Sequence, residues 1–248
     1  MENNKNIDSQ LKDLKAENAH LKKESELKTG WISLISHDFK GAFSTFLSLI
    51  EAWEQKSISN TDFFKLLPEV KHDLQRNLRT ITDTGVWSRT QTDRFKPEIS
   101  EIYGAELFIQ LKQEFGKKLR EKNIQLIFRG DETEKIRADR QLISFTLKKL
   151  IDNAIKYSHP NSDIYFEVNK TETGTTIQIE DQGVGMDQKQ LKTLFTFDAP
   201  VFQGTKGETG SGLSLKIVKY FVDLMNGTLN ISTEKNEGCI VSIFLRNN

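Results

Sequence analysis

Counted in sevens, the apolar positions of the opening stretch fall into two rows. Leu11, Asn18, Ser25, Ile32, Phe39, Phe46 and Trp53 make one row, and Ile7, Leu14, Leu21, Lys28, Ile35, Ala42 and Leu49 make the other. These are the a and d rows of a single heptad frame. The frame predicts a parallel, two-stranded coiled coil over residues 1–28, continuing as a helix to Trp53. Asn18 at an a position favours one register and a two-stranded state, while Ser25 and Lys28 make a weak patch in the seam. The string EQKSISNTD breaks the period. A second helical period then runs through Phe63, Leu67, Val70, Leu74, Leu78 and Ile81 toward Trp87. Two helices joined by a short turn form a hairpin over residues 29–92, and two copies would make a dimeric four-helix bundle. Pro68 either kinks the second helix or lies just after its start.

The polar stretch SRTQTDRFKPE, residues 88–98, reads as a linker, with Pro97 preventing helix continuation. Beyond it the pattern alternates between periods of 3.6 and 2. Helices are expected over 104–121, 140–157, 187–195 and 212–225, and strands at IQLIF, IYFEV, TIQIE, TLNIS and CIVSIFL. Asp139 is placed to cap the second of these helices and Gly227 to stop the last. The expected fold class is thus α+β and multidomain, with a helical dimeric unit followed by an α/β sandwich over residues 98–248.

Composition narrows the partners. Thirty-five Lys and Arg balance thirty-five Asp and Glu, and no segment concentrates Arg with aromatics, so nucleic acid is not expected. The single Cys239 lies in the apolar run CIVSIFL, reads as a buried core thiol and fits a cytoplasmic protein. No run approaches the roughly 18 apolar residues of a spanning helix, and the acid-rich start MENNKNIDSQ lacks the basic-then-apolar design of a signal peptide. A soluble, cytoplasmic chain is expected, although a larger parent could carry a membrane anchor.

Candidate chemistry lies in five short stretches. In ISHDFKGAF, His37 falls at position f of the heptad frame and should be exposed beside Asp38. In DNAIKYS, Asn153 and Lys156 share a helix face at i and i+3; an amide oxygen suits a hard magnesium ion, and a lysine suits phosphate oxygens. In EDQGVGM, a strand ends at Asp181, whose carboxylate could accept a hydrogen bond from an amino group, and two glycines follow. In GTKGETGSGLSL, four glycines precede a helix whose free N–H groups would face an anion. LFTF, residues 194–197, is either hydrophobic packing or the hinge of a mobile lid. Neither glycine run is GxxxxGK[ST] or GxGxxG.

In order and spacing these stretches resemble the sensor histidine kinases of two-component systems, over roughly residues 30–246. ISHDF resembles the H box, LIDNAIKYS the N box, DQGVGM the G1 box, LFTF the F box and GSGLSL the G2 box. The resemblance implies a dimerisation and phosphotransfer hairpin followed by a Bergerat-type ATP-binding domain. His37 would be the phosphoacceptor, and Asp38 would orient its imidazole or take its proton. Asn153 would hold Mg2+, Lys156 would meet a phosphate and Tyr157 would stack on adenine. Asp181 would read the adenine amino group, with Gly183 and Gly185 clearing space beside it. Gly210, Gly212, Leu213 and Lys206 would serve the triphosphate, under a lid spanning about 196–209. The implied activity is ATP-dependent autophosphorylation of His37 in a homodimer, then transfer to an Asp of a response regulator receiver domain. Neither the upstream sensor nor its stimulus is legible.

Gly41, Ala42, Lys149 and, in a minor way, Ser214 depart from the family pattern. Gly41 and Ala42 stand where the H box commonly continues with Thr or Asn and then Pro, so the polar group associated with dephosphorylating the regulator is missing and weak or no phosphatase activity is expected. Lys149 stands where the N box often carries another Asn; it could weaken metal binding or contact a phosphate. The alternative reading is a non-catalytic dimeric signalling module with a degenerate ATP domain.

Overall fold

The computed structural model describes residues 39–41, 43–92, 95–196, 202–208 and 214–247, with isolated positions between 11 and 36. The chain divides into two compact units, Met1–Gly85 and Val86–Asn248.

In the first unit all described positions from 11 to 54 are helical, and the stretch 43–54 is labelled α1. A turn with Lys56 in the left-handed region (φ 57°) leads to α2, Asn60–Arg89. Ser59 opens α2: its Oγ accepts from the Asp62 backbone N–H at 3.1 Å and donates to the Asp62 carboxylate at 2.6 Å. The turn is closed by Trp53, whose indole N–H donates to Asn60 Oδ1 at 2.8 Å and whose ring lies 5.2 Å from that of Phe63. Leu49 on α1 and Val70 on α2 are buried. Since α2 runs from Asn60 through Pro68, a start near the proline is excluded; one backbone hydrogen bond is forgone instead. Much of the coiled-coil frame lies outside the described residues, and within them Leu11, Leu14 and Ile32 are exposed.

The second unit is a two-layer α/β sandwich. β1 (Ile99–Tyr103) pairs antiparallel with β3 (Lys135–Asp139), bringing buried Ile102 opposite buried Ile136. The main sheet comprises β2 (Gln125–Gly130), β4 (Asp163–Lys170), β5 (Gly174–Asp181), β6 (Thr228–Glu234) and β7 (Gly238–Arg246), in the order β2-β4-β5-β7-β6. Only β2–β4 is parallel, which requires a crossover, and α4 (Arg140–Tyr157) supplies it. Ile164, Phe166, Val168, Ile177, Ile179, Ile243 and Leu245 turn inward along the strands. They form one core with Ile143, Leu147 and Ile151 of α4 and with Val218, Phe221 and Val222 of α6 (Ser214–Leu224). α3 (Gly104–Lys122) adds the stripe Leu107, Leu111, Phe115 and Leu119, and the short α5 spans Gln188–Thr193.

Asp139 caps α4 as the sequence predicts, accepting from the backbone N–H groups of Gln141 and Leu142 at 2.9 and 3.0 Å. At the end of α6 the left-handed residue is Asn226 (φ 54°) rather than Gly227, whose N–H returns to Val222 O at 2.9 Å. Among the described residues no helix is long and apolar enough to cross a membrane.

Candidate functional site

The C-terminal end of α4 and the end of β5 lie side by side. Ser158 bridges to Gly183, and the Val184 N–H donates to Tyr157 O at 3.2 Å. Because these ends coincide, α4 and the loop after β5 wall a cavity of about 350 Å³. α4 contributes Leu150, Asn153, Ala154, Lys156 and Tyr157, and β5 with its loop contributes Ile179, Asp181, Val184, Gly185 and Met186. Ile231, Cys239 and Val241 close it from β6 and β7, with Phe202, Gln203, Ser214 and Leu215 at another side.

Asp181 is 8% exposed and faces this cavity. Burial pushes its carboxyl up to about 7, against the pull of backbone N–H groups from Gly183, at 3.0 Å, and Cys239. An acceptor so placed, in apolar surroundings, is suited to one donor brought by a ligand. Gly183 and Gly185 make that loop possible in a specific way. A Cβ at Gly183 would sit 2.3 Å from Tyr157 O, and one at Gly185, which has φ 57°, would sit 1.8 Å from Glu234 O. What their bare backbones admit is thus protein backbone, the end of α4 in one case and the β6–β7 turn in the other. That turn is anchored by the Asn236 N–H to Val184 O at 2.8 Å.

Asn153 and Lys156 both line the cavity, as their i, i+3 spacing implies. The Asn153 side chain bonds to no other described residue. Lys156 Nζ donates to Tyr157 Oη at 2.9 Å and to Phe202 O at 3.2 Å, and it lies 4.6 Å from the Tyr157 ring centre. Burial lowers the Lys156 pKa, partly offset by Asp152 and Glu208, and burial raises the Tyr157 phenol to about 12. Tyr157 Oη also donates to Phe202 O, at 3.3 Å.

Other candidates stand elsewhere. Lys206 Nζ donates to Glu121 O at 2.5 Å, on the end of α3, and is not among the lining residues. Lys149 lies 5.2 Å from the Phe145 ring centre and is likewise absent from the lining. His37, Asp38, Gly210, Gly212 and Leu213 lie outside the described residues. Of the LFTF stretch, Leu194 lines the cavity and Phe195 is 39% exposed. The capping box of Asp187 and Gln190 starts α5, which ends at Thr193 rather than 195.

Sequence reasoning missed Cys239 as a cavity residue. Its thiol is half-buried rather than lost in the core, directly across the β5–β7 ladder from Asp181, and burial followed by the Asp181 charge pushes it up to about 12. Only the strand register could have revealed this. A magnesium ion would fit one way: no group of three or more His, Cys, Asp or Glu side chains converges among the described residues. Among the lining residues the Asn153 amide offers a hard oxygen that would suit a magnesium ion brought with phosphates.

Residues 138–248 match the family described as Histidine kinase-, DNA gyrase B-, and HSP90-like ATPase. The chain is 28% identical over 224 residues to the Sensor protein RprX of Bacteroides fragilis, covering 88% of this chain and 43% of that protein. Its fold is similar to the Acinetobacter baumannii histidine kinase AdeS (TM-score 0.69, 19% identity, covering 86% of this chain and 98% of that one). It is also similar to histidine kinase ThkA solved in complex with response regulator protein TrrA (TM-score 0.64, 18% identity, covering 86% of this chain and 59% of that one). The chain spans about two fifths of the length of the first curated relatives that it matches.

Proposed function

We propose that this chain, whose residues 138–248 match the ATPase family that includes the histidine kinases, is an ATP-dependent protein-histidine kinase that autophosphorylates on His37 and passes the phosphoryl group to an Asp of a response regulator. The observation that carries this reading is that four separate sequence boxes converge on one cavity: Asn153, Lys156 and Tyr157 from the first, Asp181 and Gly185 from the second, Leu194 from the third and Ser214 and Leu215 from the fourth.

In this reading Asp181 accepts a hydrogen bond from the adenine amino group. Tyr157, beside it on α4, offers its ring to the base. Lys156 exchanges Phe202 O for a phosphate oxygen, a trade of a neutral acceptor for an anionic one. Asn153 would help to hold magnesium, whose charge when bound would neutralise that of the phosphates. A neutral His37 ring nitrogen attacks the γ-phosphorus; the new N–P bond forms as the bond to the ADP oxygen breaks, and Asp38 orients the ring or takes its proton. Gly210, Gly212 and Leu213 would serve the triphosphate side.

The domain plan proposed is a coiled-coil helix over 1–28, a dimerisation and phosphotransfer hairpin over 29–92 and a catalytic domain over 98–248. Homodimerisation draws support from apolar side chains that the hairpin leaves out in the water: Phe43 at 48%, Leu47 at 54%, Leu78 at 62% and Ile81 at 41% exposure. With about half of each side chain still to be covered, each would contribute about 1 kcal/mol on burial by a second copy in a four-helix bundle. The ThkA complex supports a receiver domain as partner. Gly41, with no polar side chain, supports weak or absent phosphatase activity.

Calorimetric titration with ATP tests the site. Wild type should bind in the micromolar range, Asp181→Ala should show no binding, and Asn153→Ala should keep binding while losing its enhancement by magnesium. Equal affinity in Asp181→Ala would refute the assignment.

A further inference from the structure

Lys122, the last residue of α3, is a lysine with only 3% of its side chain exposed, and it does not line the cavity. Its ammonium reaches Ile155 O and Lys156 O at 2.8 Å each, Thr205 Oγ1 at 2.7 Å and Glu208 Oε1 at 2.7 Å. Two of these are carbonyls of the last turn of α4, which no intrahelical donor can reach, and a cation there also meets the negative end of the helix dipole. That much is a helix cap. The other two acceptors belong to the turn TKGE, residues 205–208, and nothing about capping α4 requires them.

The turn is stitched to the same spot by further bonds. Thr205 N–H donates to Lys156 O at 3.0 Å, Thr205 Oγ1 to Ser158 O at 2.7 Å, and Lys206 N–H to Glu208 Oε2 at 2.8 Å. Burial opposes ionisation of Glu208, but the hydrogen bonds from Lys122 and from backbone N–H groups outweigh it and hold the carboxyl below its usual range. At the start of the same segment, Phe202 O receives Lys156 Nζ and Tyr157 Oη. One segment, 202–208, therefore touches α4 twice: through a buried ionic knot outside the cavity and through two lining side chains inside it.

We propose that Lys122 is a positioning residue for nucleotide binding, a buried pivot that, with Glu208 and Thr205, clamps the 205–208 turn to the end of α4 and so sets where Lys156 and Tyr157 meet a nucleoside triphosphate. This deepens the ATP-site reading and rests on it. The inside attachment is exchangeable, since a phosphate can replace Phe202 O at Lys156. The outside one is not, because breaking it would leave a buried ammonium and a partly buried carboxylate without each other. The nest of separate acceptors suits a compact point charge with three donors, and the planar fork of arginine would not reach the same set.

The test is ATP affinity, by calorimetry on the full chain, in Lys122→Met, Glu208→Gln, Thr205→Val and the Lys122→Met/Glu208→Gln double variant. Glu208→Gln leaves every bond to the α4 carbonyls in place and Thr205→Val leaves the two from Lys122, so neither depends on Lys122→Met remaining folded. Each should weaken ATP binding by about tenfold, with the KM for ATP rising by that factor and kcat falling less than threefold. The double variant should be no weaker than Lys122→Met alone, and Lys122→Arg should not rescue. If wild type binds ATP and Glu208→Gln and Thr205→Val match it, Lys122 is a helix cap and the proposal falls alone. If wild type binds no ATP, the nucleotide reading falls and takes the proposal with it.

Discussion

Asp181 and Cys239 stand directly opposite each other on β5 and β7, and both face the cavity. Each is held in its neutral form more strongly than in water, the carboxyl up to about 7 and the thiol up to about 12, chiefly because burial penalises charge at that end of the sheet.

For Asp181 the folded value lies above the ordinary 3.8, so between about pH 4 and pH 7 the folded protein keeps a proton that the unfolded chain gives up. Its contribution to stability is complete at low pH and is lost as pH rises through about 7. Asp181→Asn removes that loss. In nucleotide-free protein the variant should melt at a higher temperature than wild type at pH 8, with the gap closing at pH 5. A gap of the same size at both values would show that Asp181 is ionised throughout.

Cys239 should be a slow thiol despite lining a cavity. Alkylation by iodoacetamide at pH 7.5 should run at least about a hundredfold slower in native protein than in urea, because thiolate, the reacting species, is scarce at a pKa near 12. Labelling at the unfolded rate, followed by mass spectrometry, would contradict this.

How much of this was readable beforehand varies with the range of the interaction. α4 is legible to the residue because its apolar period is uninterrupted and Asp139 and Ser158 bound it locally. ISEIY and the charge-alternating KIRAD are hard to read as strands: each is five residues long, and they find their partner only in each other. Asn153, Lys156 and Asp181 announce themselves by short spacings. Lys122 does not, since its partners Thr205 and Glu208 lie far along the chain and KNIQL looks like an ordinary helix end. Lys206, placed near phosphate by its neighbourhood in sequence, turns instead to Glu121 O because the turn it occupies is clamped outside the cavity.

Gly185→Ala should damage fold and site together. With φ 57° and a Cβ position 1.8 Å from Glu234 O, the loop after β5 must move away from the β6–β7 turn. A loss of about 2–4 kcal/mol in urea unfolding is expected, along with ATP binding too weak to measure. Wild-type stability would mean that the loop relaxes without cost.

Gly41 is helical, and a Cβ there would meet nothing within 4 Å. Gly41→Ala should therefore stabilise the first unit by about 1 kcal/mol. Wild type should leave the decay of a regulator's aspartyl phosphate unchanged, and Gly41→Thr should accelerate it. Acceleration already in wild type would show that hydrolysis needs no polar group at this position.

The central claim is that His37 is the nucleophile. Incubation with γ-labelled ATP and magnesium, comparing wild type with His37→Gln, addresses it most directly. The account predicts acid-labile, base-stable label on wild type and none on His37→Gln. A wild-type chain that binds ATP but takes up no label, or a His37→Gln chain labelled as strongly as wild type, would contradict it.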